Sequence, residues 1–467
     1  MKQFTLEGKN PAVSFLIIYG FCLFLSILFL LLATKSSPLY PFNDWVDVNA
    51  SFTMGKGMMN GKILYRDIFD QRGPLFYLLF GIAYLLANTS FIGIFLFEVI
   101  AFSIFLFFSF KLLFIFLDFY YSLIALPLIA SSILNLRSFA QGGSPEEFCL
   151  PLITISLYYL FIFFKNVYPK EMPNRWVFIN GILAGCVLWI KFSLLGFWFG
   201  WMASTFICML INNGFHRAIK GPIVFIVGML TATLPWIGYF GINHSIFEWI
   251  NSYIFINLTS YSEAISLVSI IKFSIIGILT HLVQNPVIIG LLYFGLIVFI
   301  IYKKFIHNFF NKFSLLFCFL FLALSVFGGG RNYIYYFLIF SPFIIFGYIV
   351  LLTRFYEKYG VKKFDKSVII ILIVLISGIF YTLQFNHNTT MLETNKEDLV
   401  QYKYASIINE TENATLLNYG TLDGGFYTTT GIIPNIRFFQ NLNISYSKFS
   451  LVMDEQNRYI KEQVVDY

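Results

Sequence analysis

Long apolar segments recur along the whole sequence, and they constrain its fold more than any other feature. A transmembrane helix needs roughly 20 mostly apolar residues to cross the hydrocarbon layer of a bilayer. Eleven such segments lie near residues 12–34, 92–116, 119–137, 148–164, 176–190, 194–211, 221–241, 286–302, 313–330, 333–353 and 367–386. Charged residues make up only 12% of the chain, about half the share in an average soluble domain. The sequence therefore predicts an all-α polytopic membrane protein with about 11 transmembrane helices.

Two further apolar segments, residues 74–90 and 267–283, are short and flanked by polar residues. We expect them to be interfacial or re-entrant helices that do not cross the membrane. Counting residues 74–90 as a span would invert the orientation of every later loop. The choice can therefore be tested against the distribution of basic residues.

Basic residues are enriched in cytoplasmic loops. With the N-terminus inside, the inner loops contain Lys111, Lys165, Lys170, Arg175, Arg217, Lys220, Lys303, Lys304, Lys312, Arg354, Lys358, Lys362, Lys363 and Lys366. The outer loops after the first one contain only Arg137, Lys191, Lys272 and Arg331. This asymmetry predicts a multi-pass cell-membrane protein with a cytoplasmic N-terminus and an extracytoplasmic C-terminus.

The composition changes near residue 386. Residues 1–386 hold the predicted spans, and they include residues 35–91 as a first outer loop with interfacial helices. Residues 387–467 alternate apolar and polar positions and contain turn signals such as Asp423-Gly424-Gly425. This pattern predicts a small extracytoplasmic α/β domain at the C-terminus.

Several functional classes are disfavoured. The net charge of +7 is spread between the apolar segments, which argues against a nucleic-acid partner. The five cysteines lie in or beside apolar segments, so neither a disulfide framework nor a zinc site is expected. The sequence also contains no P-loop, dinucleotide fingerprint or HExxH motif, which argues against a nucleotide-driven pump and a zinc protease.

The first outer loop is unusually acidic for this chain. It contains Asp44, Asp47, Asp67 and Asp70. Asp44 and Asp47 share a face if residues 44–60 form a helix, and Asp67 and Asp70 repeat that spacing. Two carboxylates held close together raise the pKa of one of them, which can produce a general base near neutral pH. On spacing alone, solvated loop charges are the simpler interpretation.

A longer sequence pattern in the first outer loop includes Asp47, Asp67 and Asp70. Asp47 is followed by Gly61 and then by residues 65–75, with the sequence YRDIFDQRGPL. The pattern resembles the opening of the lipid-linked-sugar transferases of the GT-C superfamily, particularly the bacterial protein O-mannosyltransferase-like and aminoarabinose-transferase-like enzymes. The resemblance implies a GT-C type of fold and identifies Asp47 as the match for the family's catalytic carboxylate, with Asp44 as the alternative. The family's usual Asp-Glu pair is Asp47-Val48 here.

Residues 141–148, with the sequence QGGSPEEF, join two predicted spans on the outer side. Adjacent glutamates at the start of a membrane helix are costly unless they face a wet cavity or cap that helix. Ser144 can cap the helix, and Glu146 and Glu147 can complement its dipole. A capping role and a role in substrate binding are both open and mutually compatible.

Residues 328–333, with the sequence GGGRNY, form another predicted outer turn. Arginine binds phosphate through a planar fork, and the nearby Tyr335 and Tyr336 offer flat faces suited to a sugar. A tight turn with an interfacial arginine and an aromatic belt is an equally good interpretation. In a lipid-phosphate enzyme, Arg331, Arg72 and Arg66 are the candidate phosphate contacts. Lys191 is interpreted as a snorkelling residue.

The resemblance leads to an expected activity. A membrane glycosyltransferase of this type moves a sugar from a polyprenyl-phosphate donor to an extracytoplasmic glycopolymer, lipid or protein. Asp47 would act as the general base of an inverting displacement, while Arg72 and Arg331 would stabilise the leaving phosphate. The groups that could position the acceptor or a divalent cation (Mg²⁺ or Mn²⁺) are Asp67, Asp70, Glu146 and Glu147. Teichoic acid is one candidate acceptor.

Two other functions are compatible with the same features. A transporter or flippase of lipid-linked sugars or wall precursors would share the spans and the acidic loop. A non-catalytic protein whose tail binds wall polymer would use residues such as Tyr419, Asp423 and Tyr427.

Overall fold

The structure is a computed structural model that describes residues 11–263, 266–359 and 364–462. Its helices within these ranges are α1 (Pro11–Ala33), α2 (Val46–Met59), α3 (Pro74–Leu86), α4 (Ile92–Leu113), α5 (Phe119–Leu134), α6 (Pro145–Asn166), α7 (Asn174–Lys191), α8 (Gly196–Asn213), α9 (Phe215–Ala218), α10 (Lys220–Ile242), α11 (Ile246–Ile250), α12 (Leu267–Gln284), α13 (Pro286–Ile301), α14 (Phe309–Phe327), α15 (Ile344–Tyr359), α16 (Phe364–Phe385), α17 (Val400–Ile408), α18 (Phe426–Thr430) and α19 (Leu451–Glu462). Residues Ile334–Phe343 form a 3-10 helix that runs into α15.

The helices confirm the all-α polytopic prediction. Within the described residues, nine helical segments are long and apolar enough to cross a membrane. Eight of them coincide with predicted spans, and the ninth is Leu267–Gln284, for which the sequence predicts an interfacial or re-entrant helix. The other three predicted spans correspond to α5, α8 and α13.

The loops gather at two ends of the helix bundle. We call the end that carries residues 34–73 the first-loop end. There, Lys35 N donates to Gln141 O at 2.9 Å, and the rings of Trp45 and Tyr335 lie 5.2 Å apart. The turn before α6 and the turn after α14 therefore share this end with the first loop.

The predicted cytoplasmic loops meet at the opposite end. Lys165 Nζ donates to Ile115 O at 2.8 Å. Tyr168 donates to Asn212 Oδ1 at 3.2 Å, and its ring lies 6.2 Å from the ring of Phe310. The basic loops that follow α6 and α8 and the one that precedes α14 thus share one end, as predicted. Lys362 and Lys363 lie outside the described residues, and the sidedness of the two ends stays a prediction.

The ends of α12 bear on its predicted interfacial position. Just before it, Glu263 N donates to Gly329 O at 2.8 Å. Just after it, Asn285 Oδ1 accepts from Arg137 N at 3.1 Å. Gly329 and Arg137 belong to the two turns at the first-loop end, so α12 begins and ends there. Although α12 is long enough to span, this placement agrees with the predicted interfacial or re-entrant helix.

α2 and α3 form the compact part of the first loop. A Cβ on Gly55 would lie 2.4 Å from Gly81 N, so the two helices approach too closely for a side chain at this crossing. With 13 residues, α3 is about 20 Å long and too short to cross the hydrocarbon layer. This agrees with its predicted interfacial character.

The predicted strands of the C-terminal segment are wrong for its described part, residues 387–462. These residues form 3-10 turns and the short helices α17, α18 and α19, and they contain no strand. The alternating pattern is buried against α2 instead of in a sheet. Thr428 Oγ1 donates to Asn49 Oδ1 at 3.0 Å, and Thr53 Oγ1 donates to Asp423 Oδ2 at 2.6 Å.

This docking also uses residues considered for polymer binding. Asp423 and Tyr427 are fully buried, and Lys56 Nζ donates to Tyr427 O. Tyr419 is 48% exposed. Asp423 and Tyr427 therefore hold the C-terminal segment on α2 and are not available to an outside polymer.

Candidate active site

A cavity of about 530 Å³ opens at the first-loop end. Its lining includes many of the residues singled out in the sequence, namely Asp47, Asp70, Arg72, Arg331, Tyr335 and Tyr336. Residues from the first loop, from α7 and from the turn after α14 therefore converge on one space. The C-terminal segment supplies a further wall.

Arg72 lies at the centre of this site. Its Nη2 is 2.8 Å from Asp47 Oδ2, and its Nη1 is 3.0 Å from Asp70 Oδ2. Burial lowers the pKa of Arg72, but the charges of Asp47 and Asp70 outweigh it, so the pKa lies well above its ordinary value. The guanidinium therefore stays charged and orients both carboxylates.

Local structure places these three groups. Asp47 stands in the first turn of α2, and Arg72 directly precedes Gly73, the N-cap of α3. A Cβ on Gly73 would lie 2.0 Å from Trp189 O, so only glycine permits this contact with α7. This close approach places Arg72, the residue before Gly73, beside the end of α7.

Asp70 is held on both oxygens. Tyr77 donates its hydroxyl to Asp70 Oδ2 at 2.9 Å and accepts from Arg72 N at 2.7 Å. Gln440 Nε2 approaches Asp70 Oδ1 at 3.5 Å. The carboxylates that come together are thus Asp47 and Asp70, through Arg72, and not the sequence-local pairs that the spacing suggested.

The remaining first-loop candidates lie outside the cavity lining. Asp44 forms an ion pair with Lys35 at 2.7 Å. Asp67 pairs with Arg66 at 2.8 Å and accepts from Ile63 N at 2.9 Å. The hydrogen bond from Arg66 lowers the pKa of Asp67. These groups stabilise the loop beside the site.

Lys191 does not snorkel, contrary to the sequence interpretation. Its Nζ donates to Glu146 Oε1 and lies 3.6 Å from the centre of the Tyr336 ring and 5.1 Å from that of Tyr335. Such cation–π contacts are strongest where the cation is desolvated. Lys191 lines the cavity, and no sequence signal linked it to Glu146.

The turn before α6 combines capping with this ion pair. Ser144 Oγ accepts from Glu147 N at 3.1 Å, which confirms its expected capping role. Glu147 Oε2 accepts from Gly143 N at 2.9 Å. Neither glutamate lines the cavity, but Glu146 pairs with Lys191, which does.

Arg331 forms the opposite side of the site. Its Nη1 donates to Asn443 O at 2.7 Å and its Nε to Tyr261 O at 3.0 Å. The guanidinium carbon lies 3.8 Å from the centre of the Tyr261 ring, and Glu263 is 3.6 Å away. Burial lowers the pKa of Arg331, but Tyr261 and its other neighbours raise it above the ordinary value.

One wall of the cavity is apolar. It is lined by Leu195, Ile270, Leu324 and Val326. Beside it, Leu258 is 56% exposed and Leu267 is 70% exposed. In a membrane helix bundle, such side chains face lipid. The cavity therefore lies next to a surface suited to a lipid chain.

Sequence reasoning missed several lining residues. They are Tyr253, Asn257 and Tyr261 after α11, and Leu422, Gln440, Asn441, Leu442 and Asn443 in the C-terminal segment. No motif marks them, because they reach the site only through the docking of the C-terminal segment and of the π-helical residues Asn251–Phe255 and Asn257–Tyr261 after α11.

A metal site is not evident in the part of the chain that the structure describes. It contains no group of three or more His, Cys, Asp or Glu side chains that could hold an ion. Asp47 and Asp70, the carboxylates of the cavity, both pair with Arg72. The candidate divalent cation stays a prediction.

Comparisons with known proteins identify the fold. No protein-family model matches the chain, and no curated protein sequence matches it. Among solved structures, it is similar to apo ArnT from Cupriavidus metallidurans, with a TM-score of 0.59 and 11% identity over 90% of this chain and 85% of that one. It also matches the archaeal oligosaccharyltransferase AglB from Archaeoglobus fulgidus, in complex with an inhibitory peptide and a dolichol-phosphate, with a TM-score of 0.49 and 11% identity over 91% of this chain and 65% of that one.

The likeness to ArnT extends over most of both chains, so the chain has the same type of fold, the GT-C type that its first-loop motif implied. At this identity the likeness concerns the fold alone.

Proposed function

We propose that the protein is a membrane glycosyltransferase that moves a sugar from a polyprenyl-phosphate carrier to an extracytoplasmic hydroxyl group. One observation carries the proposal. A single cavity combines a carboxylate, Asp47, with the cations Arg72, Lys191 and Arg331 and an apolar wall. These are the groups needed to bind a lipid phosphate and to activate a hydroxyl.

The donor phosphate would bind among the three cations. Its lipid chain would follow the apolar wall toward the surface at Leu258 and Leu267. Arginine forks hold phosphate oxygens through charge-assisted hydrogen bonds. As the bond between the anomeric carbon and the phosphate oxygen breaks, these cations stabilise the negative charge that grows on the phosphate.

Asp47 would take the acceptor proton. In the free protein, Arg72 Nη2 lies 2.8 Å from Asp47 Oδ2, so this oxygen is not free to accept the proton of the hydroxyl group. A donor phosphate competes for the same guanidinium, while Asp70 keeps its hold on Nη1. Donor binding therefore frees Asp47, and the base becomes active only when there is a sugar to transfer.

The chemical step is one in-line displacement. The acceptor oxygen attacks the anomeric carbon, its proton passes to Asp47, and the polyprenyl phosphate leaves with the electrons of the broken bond. A single displacement inverts the anomeric configuration. The faces of Tyr335 and Tyr336 would pack on the sugar, and Asp70 and Glu146 would position Arg72 and Lys191.

A transporter or flippase receives less support. Such a protein needs polar groups along a path through the bilayer, whereas the charged residues lining this cavity gather at the first-loop end. Chemistry at one membrane surface accounts for this placement more directly.

The test is transfer by purified protein in lipid vesicles. The vesicles would contain tritiated polyprenyl-phosphate hexoses or pentoses, with cell-envelope material as acceptor. We expect Asp47→Asn to lower the transfer rate by roughly 10²–10⁴-fold, the usual contribution of a general base. Asp44→Asn is the matched control, since Asp44 pairs with Lys35 outside the cavity. Unchanged transfer by folded Asp47→Asn protein would refute the assignment.

A further inference from the structure

We propose that the acceptor group is uncharged and rich in hydroxyls, a neutral sugar or polyol unit, and that residues 440–443 form its subsite. This inference rests on the proposed function and narrows its acceptor. Two features of the cavity support it: the charges around it and the uncharged polar side chains of its C-terminal wall.

The charges of the described residues around the cavity do not favour a second anion. The three cations pair with four carboxylates: Arg72 with Asp47 and Asp70, Lys191 with Glu146, and Arg331 with Glu263. Counted with these partners, of which Glu146 and Glu263 lie outside the lining, three positive and four negative charges leave a net charge of −1. A phosphodiester donor adds one more negative charge and occupies the guanidinium groups. An anionic acceptor would thus enter a partly buried site of its own sign, where salt screens repulsion poorly.

The C-terminal wall is polar without being charged. Its described lining residues are Leu422, Gln440, Asn441, Leu442 and Asn443. A carboxamide both donates and accepts hydrogen bonds, as a hydroxyl group does. The composition of this wall therefore matches a polyol better than a phosphate or a carboxylate.

Some of these amide groups can form further hydrogen bonds. Asn441 Nδ2 has a long bond of 3.4 Å to Gly420 O, and Asn443 is exposed. Gln71 also lines the cavity, and its Nε2 is buried without a hydrogen-bond partner, which is unusual for a buried donor.

The subsite adjoins the proposed base. Gln440 touches Asp70 at 3.5 Å, and Asp70 shares Arg72 with Asp47. A hydroxyl held by residues 440–443 is thus close to the carboxylate that would take its proton. The same charge argument disfavours an anionic polyol-phosphate unit, such as that of teichoic acid, as the group that accepts the sugar.

The experiment compares two acceptor preparations in the donor-loaded vesicles. One is the uncharged oligosaccharide fraction of the producing cells' envelope, and the other is the polyol-phosphate fraction. We expect label in the uncharged fraction, with an acceptor KM that does not change with ionic strength. Label confined to the polyol-phosphate fraction would overturn the inference and leave the glycosyltransferase proposal intact. If no donor is consumed with either fraction, the proposed function fails, and the inference fails with it.

A variant tests the position of the subsite. Asn441→Lys places a cation in the wall and removes an amide. We expect it to raise the KM for the uncharged acceptor about tenfold, the effect of losing roughly one hydrogen bond, without changing the KM for the donor. The control is Asn435→Lys, because Asn435 lies outside the lining and bonds Tyr459. Equal acceptor KM values for the two variants would contradict the placement.

Discussion

Arg72 and Asp47 form an ion pair between the start of α3 and the first turn of α2, with 2.8 Å between Nη2 and Oδ2. Their side chains are 17% and 21% exposed. The guanidinium binds Asp70 at the same time. The arginine proposed to hold the donor phosphate is therefore also the group that occupies the proposed base in the free protein.

Replacement of Arg72 by lysine should show whether donor binding needs the planar guanidinium group or only a positive charge. An ammonium keeps the charge but cannot contact two groups in a planar fork. We expect Arg72→Lys to weaken polyprenyl-phosphate binding about tenfold or more, since a charge-assisted hydrogen bond contributes roughly 1.5–3 kcal/mol. Calorimetric titration of the detergent-purified protein measures the Kd. The control is Arg66→Lys, because Arg66 pairs with Asp67 outside the cavity, and this variant should bind the donor like the wild type. Equal affinities for the wild type and both variants would contradict the proposal that Arg72 binds the donor phosphate.

The pair of Lys191 and Glu146 predicts a rescue of stability without a rescue of binding. Glu146 is fully buried, so Lys191→Met leaves a buried carboxylate without its cation, at a cost of about 3–5 kcal/mol. The double variant with Glu146→Gln should recover most of the free energy of unfolding, because no buried charge remains. It should not recover polyprenyl-phosphate affinity. Recovery of affinity in the double variant would exclude Lys191 as a phosphate contact.

A methyl group at Gly73 should disturb the site through the backbone. Its Cβ would lie 2.0 Å from Trp189 O, and a main-chain atom cannot move aside cheaply. We expect Gly73→Ala to lower stability by about 1–3 kcal/mol, as overpacking does, and to weaken donor binding by displacing Arg72. Gly20→Ala is the control, because no atom lies within 4 Å of its added Cβ. Thermal unfolding of both variants measures the change in stability, and donor titration measures the change in affinity.

Lys56 should make stability depend on pH. Burial lowers its pKa from 10.5 to about 8, although Asp423 opposes the shift. Between these values the unfolded chain binds a proton that the folded protein lacks, so stability rises with pH across this window. The rise is about 3 kcal/mol in total.

The measurement compares the free energy of unfolding of the wild type and Lys56→Met at several values between about pH 8 and about pH 10.5. The wild type should gain stability relative to the variant as pH increases. A parallel response of both proteins would show that Lys56 does not titrate in this window. Lys62→Met serves as a control, since Lys62 is not buried.

The membrane helices, and which loops share an end of the bundle, could be predicted from sequence because the membrane constrains each segment separately. In hydrocarbon each backbone group must bond within its own helix, so a long apolar segment specifies a helix without reference to the rest of the fold. Lysine placement likewise separated the loops into two groups that meet at opposite ends. The first-loop motif pointed to Asp47 and Arg72, and both line the cavity.

Only the tertiary structure decided which groups share the site. Lys191 meets Glu146 because α6 and α7 pack side by side, and Arg331 meets Asn443 across 112 residues of sequence. The alternating pattern of the C-terminal segment suggested strands, but docking on α2 buries it, with Asp423 bonded to Thr53. The pattern of apolar residues indicates which positions of a segment are buried. It does not indicate which other segment buries them, because that depends on how the segments pack. The sequence therefore determined the membrane helices and the proposed base, and the packing determined the cavity around that base.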